Sequence, residues 1–138
     1  MKQSHPLGQA EANGQPEPKG EMVIRTLCMP KDTNPAGDIF GGWLMSQMDI
    51  AGGVFAAQRA RGRVATVAAD AMSFHLPVRV GDVIACFAEV VHVGHTSLKV
   101  RVEAWALRER IGNREKVTEG VFAFVALDED GNKRPVPK

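Results

Sequence analysis

From Ile39 through Gln58 the chain has no Lys, Arg, Glu or His, and its only charged side chain is Asp49. An ionised carboxylate in apolar surroundings is costly unless it is paired, and no cation stands within a helical turn of this one. Acids in such settings gather at reactive sites. A hydrogen bond from backbone or from Ser46 would instead give Asp49 a purely structural role. Upstream, Asn34 sits in a loop and Gly41 and Gly42 open the apolar run. At a helix start the first backbone N–H groups lack partners and point along the positive end of the dipole, an arrangement that suits a carbonyl oxygen becoming negative. With Asp49 taking a proton from water or attacking directly, and Asn34 orienting water or carbonyl, these residues suit hydrolysis of an activated acyl group.

These residues need a helix to carry them. The apolar run is too long for a strand and follows turn-forming Asn34, Pro35 and Gly37, which predicts a helix from about Phe40 to Arg61, buried on most sides. At 100° per residue, Gly42, Met45, Ser46, Gly52, Gly53 and Ala56 share the face of Asp49. That face is hollow, and Trp43, Leu44, Val54 and Phe55 form the expected packing side. Gly41, Gly42, Gly52 and Gly53 each cost a helix about 1 kcal/mol relative to Ala, which close approach of another backbone or a ligand would offset. For Gly52 and Gly53, plain helix packing is an equal reading.

Strands are expected on either side. Glu21–Met29 is a short one ended by Pro30, and Val64–His75 is a longer one ending before Pro77. Val78–Asp82 reads as a turn and Val83–Val93 as the next strand. Leu98, Val100, Val102, Ala104 and Ala106 then alternate with Lys99, Arg101, Glu103 and Trp105, predicting a strand with one wet face. Arg108–Lys116 connects to a last strand over Val117–Leu127, followed by a basic tail. One apolar helix and about five strands predict an α+β domain in which a curved antiparallel sheet wraps a central helix.

Composition bounds the function. The 138 residues make one domain, and a net charge of +1 calls for neither nucleic acid nor an anionic membrane as partner. Residues 1–20, with Pro6, Pro16 and Pro18 and no apolar core, read as a loosely ordered tail rather than a signal peptide, leaving residues 21–138 as the domain. Cys28 and Cys86 lie apart in apolar contexts, as free thiols of a reducing, cytoplasmic compartment do. A membrane span over residues 39–58 would place Asp49 centrally, at about 2.5–3.5 kcal/mol on insertion scales, and is not expected. His5, His75, His92 and His95 have no metal-ligand spacing, so no metal is expected. Ser46 lacks the Gly-x-Ser-x-Gly elbow, and dinucleotide and phosphate-loop patterns are absent.

Met29 Pro30, Asp32 Thr33 Asn34, the run Gly37 to Asp49, Gly62 Arg63 Val64, Met72, Phe74, Pro77 and Val80 Gly81 Asp82 together resemble bacterial acyl-coenzyme A thioesterases of the YciA type. These proteins have the hot-dog fold, and the resemblance spans about residues 22–136. It implies a thioester hydrolase without a cofactor, coenzyme A being part of substrate and product. Asp49 would be the catalytic acid and Asn34 the second polar residue, facing Asp49 of a partner subunit, with a backbone N–H near Gly42 polarising the carbonyl. The coenzyme A handle would lie along Gly94, Thr96 and Ser97, where His95 stands at a position that relatives often fill with Arg. The assembly implied is a dimer, and further a trimer of dimers.

Two other readings stay open. Asp32 to Gly37 is similar to the start of a hydratase signature of the same fold, but Gly37 stands where that signature needs His, which counts against enoyl-coenzyme A hydration. His75 before Leu76 and Pro77 imitates a dehydratase histidine without its context. A sensor binding acyl-coenzyme A without turnover is the other reading; it usually carries a DNA-binding segment that the short polar tail cannot supply.

Overall fold

The computed structural model describes residues 17–138. In chain order it contains β1 (Glu21–Leu27), a 3-10 turn (Pro30–Asp32), α1 (Gly41–Ala60), β2 (Val64–Ala69), β3 (Val83–Val93), β4 (Ser97–Leu107), a second 3-10 turn (Arg108–Arg110) and β5 (Arg114–Ala126). The strands form one antiparallel sheet in the order β1-β3-β4-β5-β2, and α1 touches all five of them. The expected architecture, a central helix wrapped by a five-stranded sheet, is therefore the observed one.

The buried stripe of α1 is Leu44, Met48, Ala51, Gly52, Ala56 and Ala60, spaced at the helical period. It meets Val100, Val102, Ala104, Phe122 and Phe124 of the sheet. Two expectations about this helix need correction. Val54, placed on the packing side from sequence, is 45% exposed, and Ile50 beside it is 52% exposed. Gly52 and Ala56, placed on the hollow side, face the sheet instead. A Cβ on Gly52 would lie 3.1 Å from Phe124 Cζ and 3.2 Å from Val102 Cγ2, so this glycine is present to let helix and sheet approach.

The strand expected over Val64–His75 ends at Ala69. Beyond it the backbone follows β5 without a regular ladder: Asp70 N–H donates to Val121 O (3.0 Å), and His75 N–H to Val117 O (3.0 Å). On β4 the face predicted to be wet is wet at only one end, since Lys99 is exposed while Glu103 and Trp105 are buried. Their polar groups satisfy each other. Trp105 Nε1 donates to Glu103 Oε1 at 2.9 Å, and Arg101 donates to Glu103 Oε2. Of the tail expected over residues 1–20, residues 1–16 lie outside the described residues; Lys19 N–H donates to Glu103 Oε1 at 3.2 Å.

The C-terminal segment folds back rather than leading away. Val136 is buried, with its N–H donating to His95 O (2.8 Å), and Arg134 caps α1 by donating from Nη2 to Ala60 O (2.9 Å). A cation at the negative end of a helix dipole is favourable there.

Candidate active site

The loop before α1 is built on Asn34. Its Oδ1 accepts from Ala36 N–H (2.9 Å) and Asp38 N–H (3.1 Å), and its own N–H donates to Asp38 O (2.7 Å). An Asx turn of this kind fixes the loop, with Gly37 at φ +92° supplying the left-handed residue. Because the carbonyl oxygen is engaged, the two N–H donors of the Asn34 amide are left, and among the described residues they have no partner. The loop is closed by a bridge between Thr33 and Ile39. Phe40 N–H donates to Asp32 O (3.0 Å), which sets the entry angle of the helix.

Phe40 is the N-cap and gives no side-chain hydrogen bond. Leu44 N–H reaches Phe40 O at 3.2 Å, and no described residue accepts from the N–H groups of Gly41, Gly42 and Trp43. A Cβ on Gly42 would meet nothing within 4 Å, so this stretch of helix borders open space. The hollow side expected from sequence exists at this end of α1 only.

Asp49 is half-buried rather than enclosed. Thr66 Oγ1 of β2 donates to Asp49 Oδ1 at 2.7 Å. Ser46 does not supply that bond: its hydroxyl donates to Trp43 O at 2.6 Å. Thr66 was missed from sequence. Its only signal there is a hydroxyl in the apolar run Val64 to Ala69; Val64, Ala65 and Thr66 pair in unbroken register with Ala126, Val125 and Phe124, and the register shifts only after Thr66. Alternation along the strand puts Thr66 on the face of Val64, which packs against the core. There its hydroxyl meets the helix acid.

Asp49 follows Gly42 by seven residues, hence by about 10 Å along the helix axis at the usual rise. A water held at a carboxylate must lie within hydrogen-bond reach of it, so Asp49 and the N–H groups of its own chain do not converge on one carbonyl. No hydrogen bond joins Asn34 to Asp49 among the described residues either.

The start of α1 opens into a cleft of about 320 Å³, within the usual range for small-molecule sites, lined by Gly41, Ile39, Leu44, Asp38 and the segment Phe74 to Val78. Arg108 ties down the far wall by donating to Pro77 O (2.9 Å) and to Asp82 Oδ2 (2.7 Å). Burial pushes the Asp82 carboxyl up, but the N–H groups of Arg79 and Glu109 and the Arg108 guanidinium outweigh it and hold it below the usual carboxylate range.

Gly94, Thr96 and Ser97 form the β3–β4 turn, away from this cleft in the chain. Gly94 N–H donates to Ser97 O (2.7 Å), and Thr96 O accepts from Ala126 N–H (2.9 Å). The Gly94–Ser97 bond thus closes the hairpin and Thr96 O ties it to β5, and the Thr96 and Ser97 side chains are half-buried. Among the described residues no three His, Cys, Asp or Glu side chains gather into a metal site, and no helix is long and apolar enough to cross a membrane.

Comparison with known proteins agrees with this architecture. Residues 36–112 match the model of the thioesterase superfamily. Acyl-CoA thioester hydrolase YciA of Salmonella typhimurium is 54% identical over 123 residues, covering 87% of this chain and 92% of that one. The hexameric thioesterase of Yersinia pestis superposes with a TM-score of 0.83 at 51% identity, over 88% of this chain and 98% of that one. An aspartate-to-alanine mutant of a hexameric broad-specificity acyl-coenzyme A thioesterase gives a TM-score of 0.83 at 49% identity, over 87% of this chain and 88% of that one. With a hot-dog fold and half of its residues shared with these enzymes, the chain belongs to the YciA-type acyl-CoA thioester hydrolases of the thioesterase superfamily.

Proposed function

We propose that the protein hydrolyses acyl-coenzyme A to a free carboxylic acid and coenzyme A at a site shared by two chains. The observation that carries this reading is the separation within α1: a hydroxyl-tethered acid at Asp49 and unpartnered N–H donors at Gly41 and Gly42 lie about 10 Å apart along one helix. Neither half suffices alone. A second copy that brings its helix start against the first chain's Asp49 completes both.

The surfaces beside Asp49 support such pairing. β2 is an edge strand with Val67 59% exposed, and Ile50 and Val54 form an exposed apolar strip on the adjoining helix. Unpaired edges and apolar patches are what a partner copy covers. The relatives solved as hexamers are consistent with further association into six chains.

In the reaction, the thioester carbonyl accepts from the N–H groups at Gly41 and Gly42 of one chain, with the Asn34 amide of that chain donating to the carbonyl or to the attacking water. Asp49 of the other chain takes the water proton. The tetrahedral oxyanion that forms is stabilised by the same N–H groups, then collapses with loss of coenzyme A as a thiolate, which needs little acid assistance. Thr66 holds the Asp49 carboxylate in orientation through Oδ1 and leaves Oδ2 for the water. Gly94, Thr96 and Ser97 line the course of the coenzyme A handle. A neighbour solved with an aspartate replaced by alanine adds support for a carboxylate at the centre of the chemistry.

Thiol release from acyl-coenzyme A esters ranging from acetyl to palmitoyl, by wild type and Asp49→Asn side by side, tests the reading. Turnover by wild type that collapses in the variant is expected. Tight binding with no thiol released by either protein would replace the hydrolase with a sensor.

A further inference from the structure

If a thioester carbonyl sits at the N–H groups of Gly41 and Gly42, its acyl chain must leave through the space that adjoins them. The space adjoining Gly41 is the 320 Å³ cleft, whose Ile39, Leu44, Phe74, Leu76 and Val78 walls suit a hydrocarbon. Phe74 lines it beside Gly41. A Cβ on Gly41 would meet its ring at 3.5 Å (Cε2) and 3.7 Å (Cζ), while the side chain remains 42% exposed. A ring so exposed is not filling the core.

The backbone on both sides of Phe74 is fixed. Ser73 O accepts from Thr118 Oγ1 (2.7 Å), His75 N–H donates to Val117 O (3.0 Å), and Val78 O accepts from Ile39 N–H (2.8 Å). The wall therefore stays in place, and the size of residue 74 decides how much of the cleft is open beside Gly41. The geometry points to Phe74 as the residue that sets the acyl-chain length the enzyme accepts, an inference that rests on the hydrolase reading above. Removing the ring extends the space next to the carbonyl, and enlarging it shortens that space.

The test is kcat/KM for acetyl-, butyryl-, hexanoyl-, octanoyl-, decanoyl- and palmitoyl-coenzyme A with wild type, Phe74→Ala and Phe74→Trp, alongside thermal unfolding of each. One methylene in an apolar pocket changes discrimination by about 10- to 200-fold. Phe74→Ala should therefore raise the ratio of the longest accepted ester to acetyl by about tenfold or more, and Phe74→Trp should lower it, with unfolding close to wild type. Turnover with the same chain-length profile in all three proteins would overturn the role of Phe74 and leave the hydrolase standing. Absence of thiol release by wild type from every ester would overturn both.

Discussion

At the scale of single residues, the bond from Thr66 holds one oxygen of the Asp49 carboxylate, and in the proposed reaction the other is left to take the water proton. General-base catalysis contributes about 100- to 10,000-fold, so Asp49→Asn should lower kcat by that order while leaving thermal unfolding near wild type. A hydrogen bond to a charged group contributes about 1.5–3 kcal/mol, so Thr66→Val should lower kcat roughly 10- to 100-fold, less than loss of the acid itself. Initial rates of thiol release on purified variants check both, and a Thr66→Val enzyme as fast as wild type would remove the positioning role. Asp49 stands out in the sequence because it is the one charge in a twenty-residue apolar run. Thr66 does not stand out, because its bond to Asp49 depends on β2 lying beside α1, and no spacing within either segment encodes that contact. The thiols make a separate test. Burial, aided for Cys28 by Asp82 and Asp32, pushes the Cys28 pKa up to about 12, and burial alone does the same for Cys86. Both remain protonated at neutral pH, so a thiolate-directed reagent should label neither until the protein is unfolded.

At the scale of elements, α1 was predicted to within one residue at each end, since a long apolar run after Asn-Pro and Gly leaves little alternative. Its buried face was not. In a helix that is apolar nearly all round, periodicity does not identify the core side, and the small residues Ala51, Gly52 and Ala56 occupy it because the sheet comes close. Gly52→Val should accordingly destabilise the fold by about 1–3 kcal/mol through overpacking against Phe124 and Val102, read as a lower urea midpoint at unchanged m-value. The strand expected to continue to His75 was misjudged for a related reason. Composition favours extended backbone up to Pro77, and the chain stays bonded to β5 through Asp70 and His75, yet it leaves the ladder after Ala69 and forms the cleft wall. The alternation along β4 was read correctly, but charge was equated with water. Glu103 is buried because Arg101 and Trp105 satisfy it, and charge pairing of that kind is invisible to a pattern of polar and apolar letters.

At the scale of the whole molecule, ion pairs hold the outer face and the connections between strands. Hydrogen bonds from Lys116 and then Arg101 draw Glu119 down to about 2, and Asp82 also lies below the usual carboxylate range. Both groups have lower pKa values folded than unfolded. Their contribution to stability is therefore complete above the unfolded values of about 4 and is lost as pH falls through the folded values. Urea midpoints should be flat from pH 7 to about 5 and drop steeply toward pH 2.5. Asp82→Asn should be less stable than wild type at pH 7 and should show a shallower acid loss.

In the proposed reaction, function at this scale depends on association, because each α1 carries the acid and the N–H donors about 10 Å apart. The most direct measurement is complementation. Asp49→Asn and Asn34→Ala proteins, each inactive alone, are unfolded together, refolded at equal concentration and assayed for thiol release, with mixed pairs verified by native mass spectrometry. When the site is shared, half of randomly formed pairs carry one intact site, and about a quarter of wild-type activity should return. Activity that stays at the level of the separate variants while mixed pairs are present would contradict the two-chain site.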